Sequence, residues 1–117
     1  MSPATKFIIQ NKHVNGVECL YLHGDLDAHT APELENSIAG IIKTGLNKIL
    51  VNFAELDYIS SAGLGVFMAF IEEIRDSGGD IKLCSMRPKV FAVFDLLGFP
   101  LLFDIIEDEI IALKKFQ

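Results

Sequence analysis

The stretch DYISSAGLG, residues 57–65, carries two serines and two glycines between two hydrophobic runs. A serine in such a turn can act as a catalytic nucleophile, cap the helix that follows, or accept a phosphoryl group from a kinase. A nucleophile needs a base, a cap needs only a helix start, and a phosphoacceptor needs an accessible hydroxyl group. The surrounding sequence therefore has to distinguish these three roles.

Serine hydrolysis is not favoured by the motif. The nucleophile elbow of α/β-hydrolases has glycine two residues before and two residues after its serine, whereas Ile59 stands two residues before Ser61. All three histidines precede Ser61 in the chain. The segment AGLG lacks the lysine of a P-loop and the spacing of a dinucleotide-binding turn. The sequence therefore predicts no catalytic residues and no enzymatic activity.

Composition narrows the remaining classes of function. Cys19 and Cys84 stand in apolar surroundings without a Cys-x-x-Cys motif, and the histidines are scattered, which predicts buried, reduced thiols and neither a metal site nor a cofactor. The formal net charge of -6 argues against a nucleic-acid partner. The chain has no signal-like apolar segment and no apolar run of membrane-spanning length, which predicts a cytoplasmic protein without membrane insertion.

The two serines are expected to start a helix. Either Ser60 or Ser61 can serve as the N-cap, with its hydroxyl accepting a hydrogen bond from an early helix N–H group. The helix is predicted to run from about Ser61 or Ala62 to Ser77, where a pair of glycines follows. The side chains expected to face inward are Phe67, Phe70, Ile71 and Ile74.

The elements before this helix follow from the apolar pattern. The runs KFIIQ and VECLYLHG flank Asn15 and Gly16, which predicts an antiparallel hairpin. A helix follows, in which Thr30 and Glu33 have the spacing of a capping box and Gly45 comes after the last apolar turn. Its inward stripe is Leu34, Ile38, Ile41 and Ile42. The run KILVNFAEL then predicts a buried strand.

The elements after it complete an alternating pattern. The sequence predicts a strand DIKLCSM, a short helix from near Pro88 to Gly98, a strand LLFDII and a helix DEIIALKKF. The expected core stripe of the short helix is Val90, Val93, Phe94 and Leu97. For Phe91 on the same helix, core packing, a partner interface and a dimer contact all stay open.

The order of these elements predicts a single α/β domain over residues 1–117. Its central sheet is expected to be mostly parallel, with an antiparallel N-terminal hairpin and about four helices. Functional groups in such sheets gather beyond the carboxyl ends of the strands. In this chain those positions are the loops HGDLDAHT, AELDYISSAG and CSMRPK.

Three segments together resemble a known family. LDYISSAGLGVFMAF resembles the signature of STAS domains of the anti-sigma factor antagonist family, in which a strand ends in a D-S-S/T-G-L-G-like turn. LHGDLDAHTAPEL is similar to the G-E/D-L-D segment of that family, and RPKVFAVFDLLGF is similar to its late helix. The resemblance spans nearly the whole chain and implies a STAS-like fold, which agrees with the predicted order of strands.

The resemblance also implies roles for individual residues. Ser61 matches the phosphorylated serine of the family, Ser60 stands where an aspartate is common, and Asp27 matches the aspartate of the G-x-L-D segment. Partner contacts are expected around Ser61, with Glu72 at their margin. The expected contact residues are Asp25, Asp27, Ser60, Ala62, Gly63, Leu64 and Met68. For Leu64 and Met68, core packing is an equal alternative.

The function implied by the resemblance is regulatory. Unphosphorylated protein is expected to bind a serine kinase that is also an anti-sigma factor, and phosphorylation of Ser61 is expected to end the binding. A serine phosphatase would then restore the binding form. The alternative is a STAS subunit of a lipid-transport complex or of a signalling scaffold, in which Ser61 is not phosphorylated.

Overall fold

A computed structural model describes residues 6–117, so the first five residues of the predicted domain lie outside the described part. Strands and helices alternate after an initial hairpin. The strands are β1 (Ile8–Val14), β2 (Val17–Leu26), β3 (Lys48–Ile59), β4 (Asp80–Cys84) and β5 (Ile105–Ile106). The helices are α1 (Ala31–Lys43), α2 (Ser61–Asp76), α3 (Pro88–Leu96) and α4 (Glu109–Lys114), with a 3-10 helix at Phe99–Leu101.

The strands form one sheet in the order β1-β2-β3-β4-β5. β1 and β2 are antiparallel, and each later neighbour pair is parallel. The hairpin turns at Asn15 and Gly16, whose φ angles of 49° and 82° are those that an Asn-Gly turn favours. The structure confirms the predicted α/β fold with its mostly parallel sheet and antiparallel hairpin.

The two faces of the sheet are covered differently. Successive side chains of a strand point to opposite faces, so Leu20 and Leu22 of β2 face one core while Cys19 faces the other. Helices α1, α2 and α3 cover the larger core, where Phe53, Phe67 and Phe94 pack together. Among the described residues, the smaller core is covered by helix α4 and the segment that follows it. The face of the sheet that carries α2 therefore has the larger hydrophobic core.

The two cysteines lie in the smaller core. Cys19 and Cys84 are both free and fully buried, as the sequence predicts. Burial raises the pKa of each thiol to about 11, since the charged thiolate is disfavoured away from water. Both cysteines therefore serve as packing residues, and neither is a ready nucleophile at neutral pH.

The predicted last strand LLFDII is wrong in length. Gly98 takes a φ of 77° and turns the chain into the 3-10 helix, so that only Ile105 and Ile106 pair with β4. Leu101 and Leu102 are 91% and 47% exposed instead of entering the sheet. An apolar run predicts burial only where the chain direction allows it, and the turn at Gly98 removes these leucines from the sheet.

The predicted core stripe of α3 is correct at its start and wrong at its end. Val90 and Phe94 are buried and Val93 is partly buried against the same core. Leu97 is 52% exposed, because α3 ends at Leu96 and Leu97 already belongs to the turn that follows. The stripe of α1 is confirmed, with Leu34, Ile38 and Ile41 buried and Ile42 packed against them.

Candidate functional site

The junction between β3 and α2 lies at the carboxyl ends of the parallel strands. β3 ends at Ile59 and α2 begins at Ser61, with Ser60 between them. The Ser60 N–H group donates to the carbonyl oxygen of Leu26 at 2.9 Å. This bond places the two serines directly beside the end of β2 and the loop that carries Asp27. The structure therefore brings together the two segments that the sequence predicts to form one site.

The two serines have different environments. Ser61 is an exposed residue at the first position of α2. Ser60 occupies the N-cap position, yet its side chain makes no capping hydrogen bond. The Ser60 hydroxyl oxygen is buried and has no hydrogen-bond partner among the described residues. Ser60 therefore takes the predicted N-cap position, but the predicted capping hydrogen bond from its side chain is wrong.

The loop between β2 and α1 is held by Asp27 and Thr30. The Asp27 carboxylate accepts from the N–H groups of His29 at 2.9 Å and Thr30 at 3.1 Å. The Thr30 hydroxyl donates to the Asp25 carbonyl oxygen and accepts from the Asp27 N–H group, each at 2.9 Å. Hydrogen bonds from the Thr30 and His29 backbone lower the pKa of the Asp27 carboxyl. Asp27 thus stays ionised and shapes the loop beside Ser61.

This loop geometry corrects the predicted capping box. The hydroxyl of Thr30 makes no capping bond to α1, and the Glu33 N–H group donates to the Thr30 carbonyl oxygen at 3.0 Å. A capping box needs the threonine hydroxyl to accept from the N–H group three residues later. Here the hydroxyl is already occupied by Asp25 and Asp27, so it connects the loop instead of capping the helix.

Four predicted contact residues lie in the first half of α2. Ala62 and Met68 are exposed, with Met68 at 45%. Gly63 is buried, and a Cβ atom added there would lie 2.7 Å from the Leu26 Cγ atom. Leu64 is 2% exposed and packs in the larger core. The structure thus places the Leu64 side chain in the core, the alternative that the sequence left open, and its contact with a partner stays a prediction.

Arg87 also lies at the carboxyl ends of the parallel strands, and no role was predicted for it from the sequence. Its Nε atom donates to the Ala54 carbonyl oxygen at 2.9 Å, and its Nη1 atom lies 2.5 Å from an Asp57 carboxylate oxygen. Its Nη2 atom lies 3.6 Å from Glu55. These contacts connect the start of α3 to the end of β3, and the positive charge of Arg87 neutralises that of Asp57.

A sequence signal for this arginine exists. β3 pairs with β4 only as far as Asn52, so later carbonyl groups of β3 on that side need another donor. Arg87 follows β4 in the loop CSMRPK, which the sequence places at the carboxyl ends of the strands. The signal is therefore an arginine in the loop after the shorter strand β4, beside the longer strand β3. Such an arginine can donate to the unpaired carbonyl groups of β3.

The surface of residues 6–117 also carries several grooves. Within residues 6–117, no group of three or more His, Cys, Asp or Glu side chains has an arrangement that could hold a metal ion. No helix in the same range is both long and apolar enough to cross a membrane. A groove of about 460 Å³ lies between α3 and β5, where Met86, Phe91 and Ile105 form part of its wall.

Comparison with known proteins finds, over most of the chain, the family that the sequence resembles. The family model described as STAS domain matches residues 9–110. The chain is 30% identical over 104 residues to BtrV of Bordetella bronchiseptica, named as a candidate anti-sigma factor antagonist, covering 89% of this chain and 90% of that protein. It is 27% identical to the anti-sigma F factor antagonist of Paenibacillus polymyxa, covering 93% of this chain and 94% of that protein.

Solved structures show the same fold. The unphosphorylated form of the anti-sigma factor antagonist SpoIIAA matches with a TM-score of 0.80 at 24% identity, covering 92% of this chain and 95% of that one. The phosphorylated form of SpoIIAA from Bacillus matches with a TM-score of 0.74 at 23% identity, covering 94% of this chain and all of that one. The family match and the shared fold agree over the same residues. The chain therefore belongs to the STAS domain family.

Proposed function

We propose that this protein is an anti-sigma factor antagonist whose binding to a serine kinase/anti-sigma factor is ended by phosphorylation of Ser61. The names of its relatives support the first part of the proposal. The second part rests on one observation, the contrast between an exposed Ser61 and an enclosed Ser60 hydroxyl. The proposal places the protein in the bacterial cytoplasm, where a serine phosphatase returns it to its binding form.

Ser61 has the setting that a phosphoacceptor needs. A kinase must reach the hydroxyl oxygen, and Ser61 is exposed at the start of a 16-residue helix. The first N–H groups of a helix have no partner within it, and the helix dipole favours an anion at this end. A phosphate on Ser61 is therefore tolerated in the free protein without a change of fold.

The same phosphate weakens binding when a partner covers this edge. Asp27 lies one residue from the Leu26 carbonyl group that bonds to Ser60, so the phosphate joins an acidic neighbourhood that includes Asp25. A partner that excludes water lowers the local dielectric and strengthens this repulsion. Two like-charge pairs at about 6 Å cost on the order of 2 kcal/mol, which is about 30-fold in affinity. Asp57 adds little, because Arg87 balances its charge.

The proposed partner surface combines this acidic edge with the exposed side of α2. Ala62, Met68 and Glu72 all lie on that side. The small Ala62 leaves room beside Ser61, and Met68 offers an adaptable apolar contact. A partner with a basic rim and an apolar centre fits this arrangement.

The proposal is tested by incubating the protein with a serine kinase/anti-sigma factor and ATP and measuring intact mass. We expect one phosphoryl group on wild type and on Ser60→Ala, and none on Ser61→Ala. Ser60→Ala is the matched control, because it removes the neighbouring hydroxyl. Phosphorylated protein should bind the kinase about 30-fold more weakly than unphosphorylated protein in a pull-down titration.

Two outcomes would contradict the proposal. Phosphorylation that persists in Ser61→Ala would place the modification elsewhere. Stable binding of a partner without any phosphorylation would favour the alternative function, a STAS subunit of a lipid-transport complex or a signalling scaffold.

A further inference from the structure

Strand β3 contains two β-bulges before Ser61. Its pairing register with β2 shifts twice, and each shift gives β3 one residue more than β2. The first extra residue lies between Asn52 and Glu55, and the second is Asp57. A bulge bends its strand and re-aims the chain, and bulges are frequent beside functional sites. The two bulges therefore determine the direction in which β3 leads to Ser61.

The bulges also keep one face of β3 in the larger core. Phe53, Leu56 and Ile59 are all buried in that core, although each stands three residues after the one before. In a regular strand, side chains three residues apart point to opposite faces of the sheet. One extra residue before Leu56 and one before Ile59 return both side chains to the same face. The burial of these two side chains therefore depends on both bulges.

The bulged part of β3 is bonded to Arg87. In the part of the chain that the structure describes, β3 has no strand partner on its β4 side beyond Asn52. The Arg87 Nε atom donates on that side to the carbonyl oxygen of Ala54, in the first bulge, at 2.9 Å. The Nη1 atom of the same side chain lies 2.5 Å from the carboxylate of Asp57, the second bulge. One guanidinium group thus holds both bulges.

We infer that Arg87 is a positioning residue, which holds the two bulges of β3 and so fixes Ser61 for phosphoryl transfer. The inference rests on the proposed phosphorylation of Ser61. Asp57 stands four residues before Ser61. Between them, the Ser60 N–H group donates to the Leu26 carbonyl oxygen at the end of β2. The end of β3 is therefore bonded to β2 on one side and to Arg87 on the other.

An arginine is suited to this role at this position. Its planar guanidinium group presents donors in a fixed geometry, so it can bond to a carbonyl group and a carboxylate at the same time. The backbone of Arg87 is itself held, because its carbonyl oxygen accepts from the N–H groups of Val90 at 3.0 Å and Phe91 at 2.9 Å. A substitution of the side chain leaves these bonds at the start of α3 unchanged.

Phosphoryl transfer depends on the position of the accepting oxygen. The Ser61 hydroxyl oxygen forms a bond to the γ-phosphorus of ATP, the bond from that phosphorus to ADP breaks, and the hydroxyl proton passes to a base of the kinase. The two oxygens must be in line, and a displacement of about 1 Å can lower the rate about 100-fold. Loss of the Arg87 contacts releases both bulges, so the Ser61 hydroxyl samples more positions and the rate of transfer falls.

Steady-state kinetics with the serine kinase/anti-sigma factor and ATP test this role. Arg87→Gln should lower kcat for phosphorylation of Ser61 about 10-fold and change KM less than about threefold. Arg87→Lys retains the charge without the fixed geometry, and its kcat should lie between those of wild type and Arg87→Gln. Asp57→Ala removes one of the two contacts and should lower kcat less than Arg87→Gln does. Combined with Arg87→Gln, it should add no further loss, because both substitutions remove the same contact.

Arg75→Gln is the matched control. Arg75 is the other arginine of the chain, and it also contacts an aspartate and a backbone carbonyl group. Its Nε atom lies 2.9 Å from the Asp80 carboxylate, and its Nη2 atom donates to the Leu102 carbonyl oxygen at 2.6 Å. These contacts lie at the C-terminal end of α2, away from Ser61. Arg75→Gln should therefore leave kcat unchanged.

Amide hydrogen exchange of the isolated protein distinguishes this inference from the proposed function. In Arg87→Gln, the Ser60 amide should exchange about 10-fold faster than in wild type, whereas exchange at Leu50 in the centre of β3 should change less than about threefold. Wild type that is never phosphorylated would overturn the proposed function. Unchanged exchange at Ser60, or equal acceleration at Ser60 and Leu50, would overturn the positioning role alone. So would a kinetic loss confined to KM, since it indicates direct contact of Arg87 with the kinase.

Discussion

At the scale of single residues, the two adjacent serines differ in how their backbone and side-chain groups are bonded. The Ser60 backbone is fully used, since its N–H group bonds to Leu26 and its carbonyl oxygen accepts from Leu64 at 3.2 Å. Its hydroxyl has lost water without gaining a partner among the described residues. Such a group costs about 1–3 kcal/mol. Ser60 therefore reduces stability beside the exposed Ser61.

The first prediction concerns this hydroxyl. Ser60→Ala should raise the free energy of unfolding by about 1 kcal/mol in urea denaturation, because it removes an unsatisfied buried group and breaks no capping bond. Ser61→Ala is the matched control and should change the value by less than about 0.5 kcal/mol, since Ser61 is exposed. A clear loss of stability in Ser60→Ala would mean that the hydroxyl has a partner in solution.

At the scale of elements, the position of α2 depends on a glycine. Gly63 packs against the ends of β2 and β3, where an added Cβ atom would lie 2.7 Å from Leu26 and 3.2 Å from Ile59. This close approach holds the first turn of α2, and with it Ser61, against the carboxyl edge of the sheet. Gly65 on the same helix has open space around it.

The second prediction compares these two glycines. Gly63→Ala should lower the free energy of unfolding by about 1–3 kcal/mol, because the methyl group must displace core side chains. Gly65→Ala should raise it by about 0.5–1 kcal/mol, because alanine is favoured within a helix and meets no neighbour there. Urea denaturation of both variants measures the difference. Equal changes in the free energy of unfolding would contradict the prediction. They would show that the close approach of residue 63 to Leu26 does not destabilise the alanine variant.

At the scale of the whole molecule, Lys82 connects segments that are distant in the chain. Its Nζ atom lies 3.0 Å from Asp80 and 2.6 Å from Asp104, and 5.3 Å from the centre of the Phe116 ring. Burial disfavours its charged form, but hydrogen bonds to the two carboxylates outweigh burial and raise the pKa of Lys82. The hydrogen bond from Lys82 also lowers the pKa of Asp104.

The third prediction follows from this cluster. Lys82→Met should lower the free energy of unfolding at neutral pH by about 1–2 kcal/mol, since the carboxylates lose their buried partner. Asp104 contributes its stabilisation above its unfolded pKa near 3.8 and loses it as the pH falls through its lower folded pKa. The difference between wild type and variant should therefore shrink at acid pH in urea denaturation.

Lys12→Met on exposed β1 is the control for this prediction. Its free energy of unfolding should equal that of wild type at neutral pH and at acid pH. A gap between wild type and Lys82→Met that stays constant across the acid range would contradict the proposed coupling to Asp104.

Much of the fold could be predicted from local patterns. Asn15 and Gly16 specify their hairpin through backbone angles, and the stripe of α1 specifies its buried face through helical periodicity. The exposed Leu101 and the capping role expected of Thr30 could not be predicted in this way. Both depend on where the chain turns and which groups then lie within hydrogen-bonding distance, and these are properties of the assembled molecule.

The sequence by itself determined the alternation of elements, the family resemblance and the segment that carries Ser61, because periodicity and motif spacing are local properties of the chain. Only the tertiary structure decided that the Ser60 hydroxyl is enclosed, that Leu64 belongs to the core, and that Arg87 pairs with Asp57. The physical reason is that burial and charge pairing depend on groups distant in sequence. Accessibility at the β3–α2 junction arises only when β2, β3 and α2 pack together.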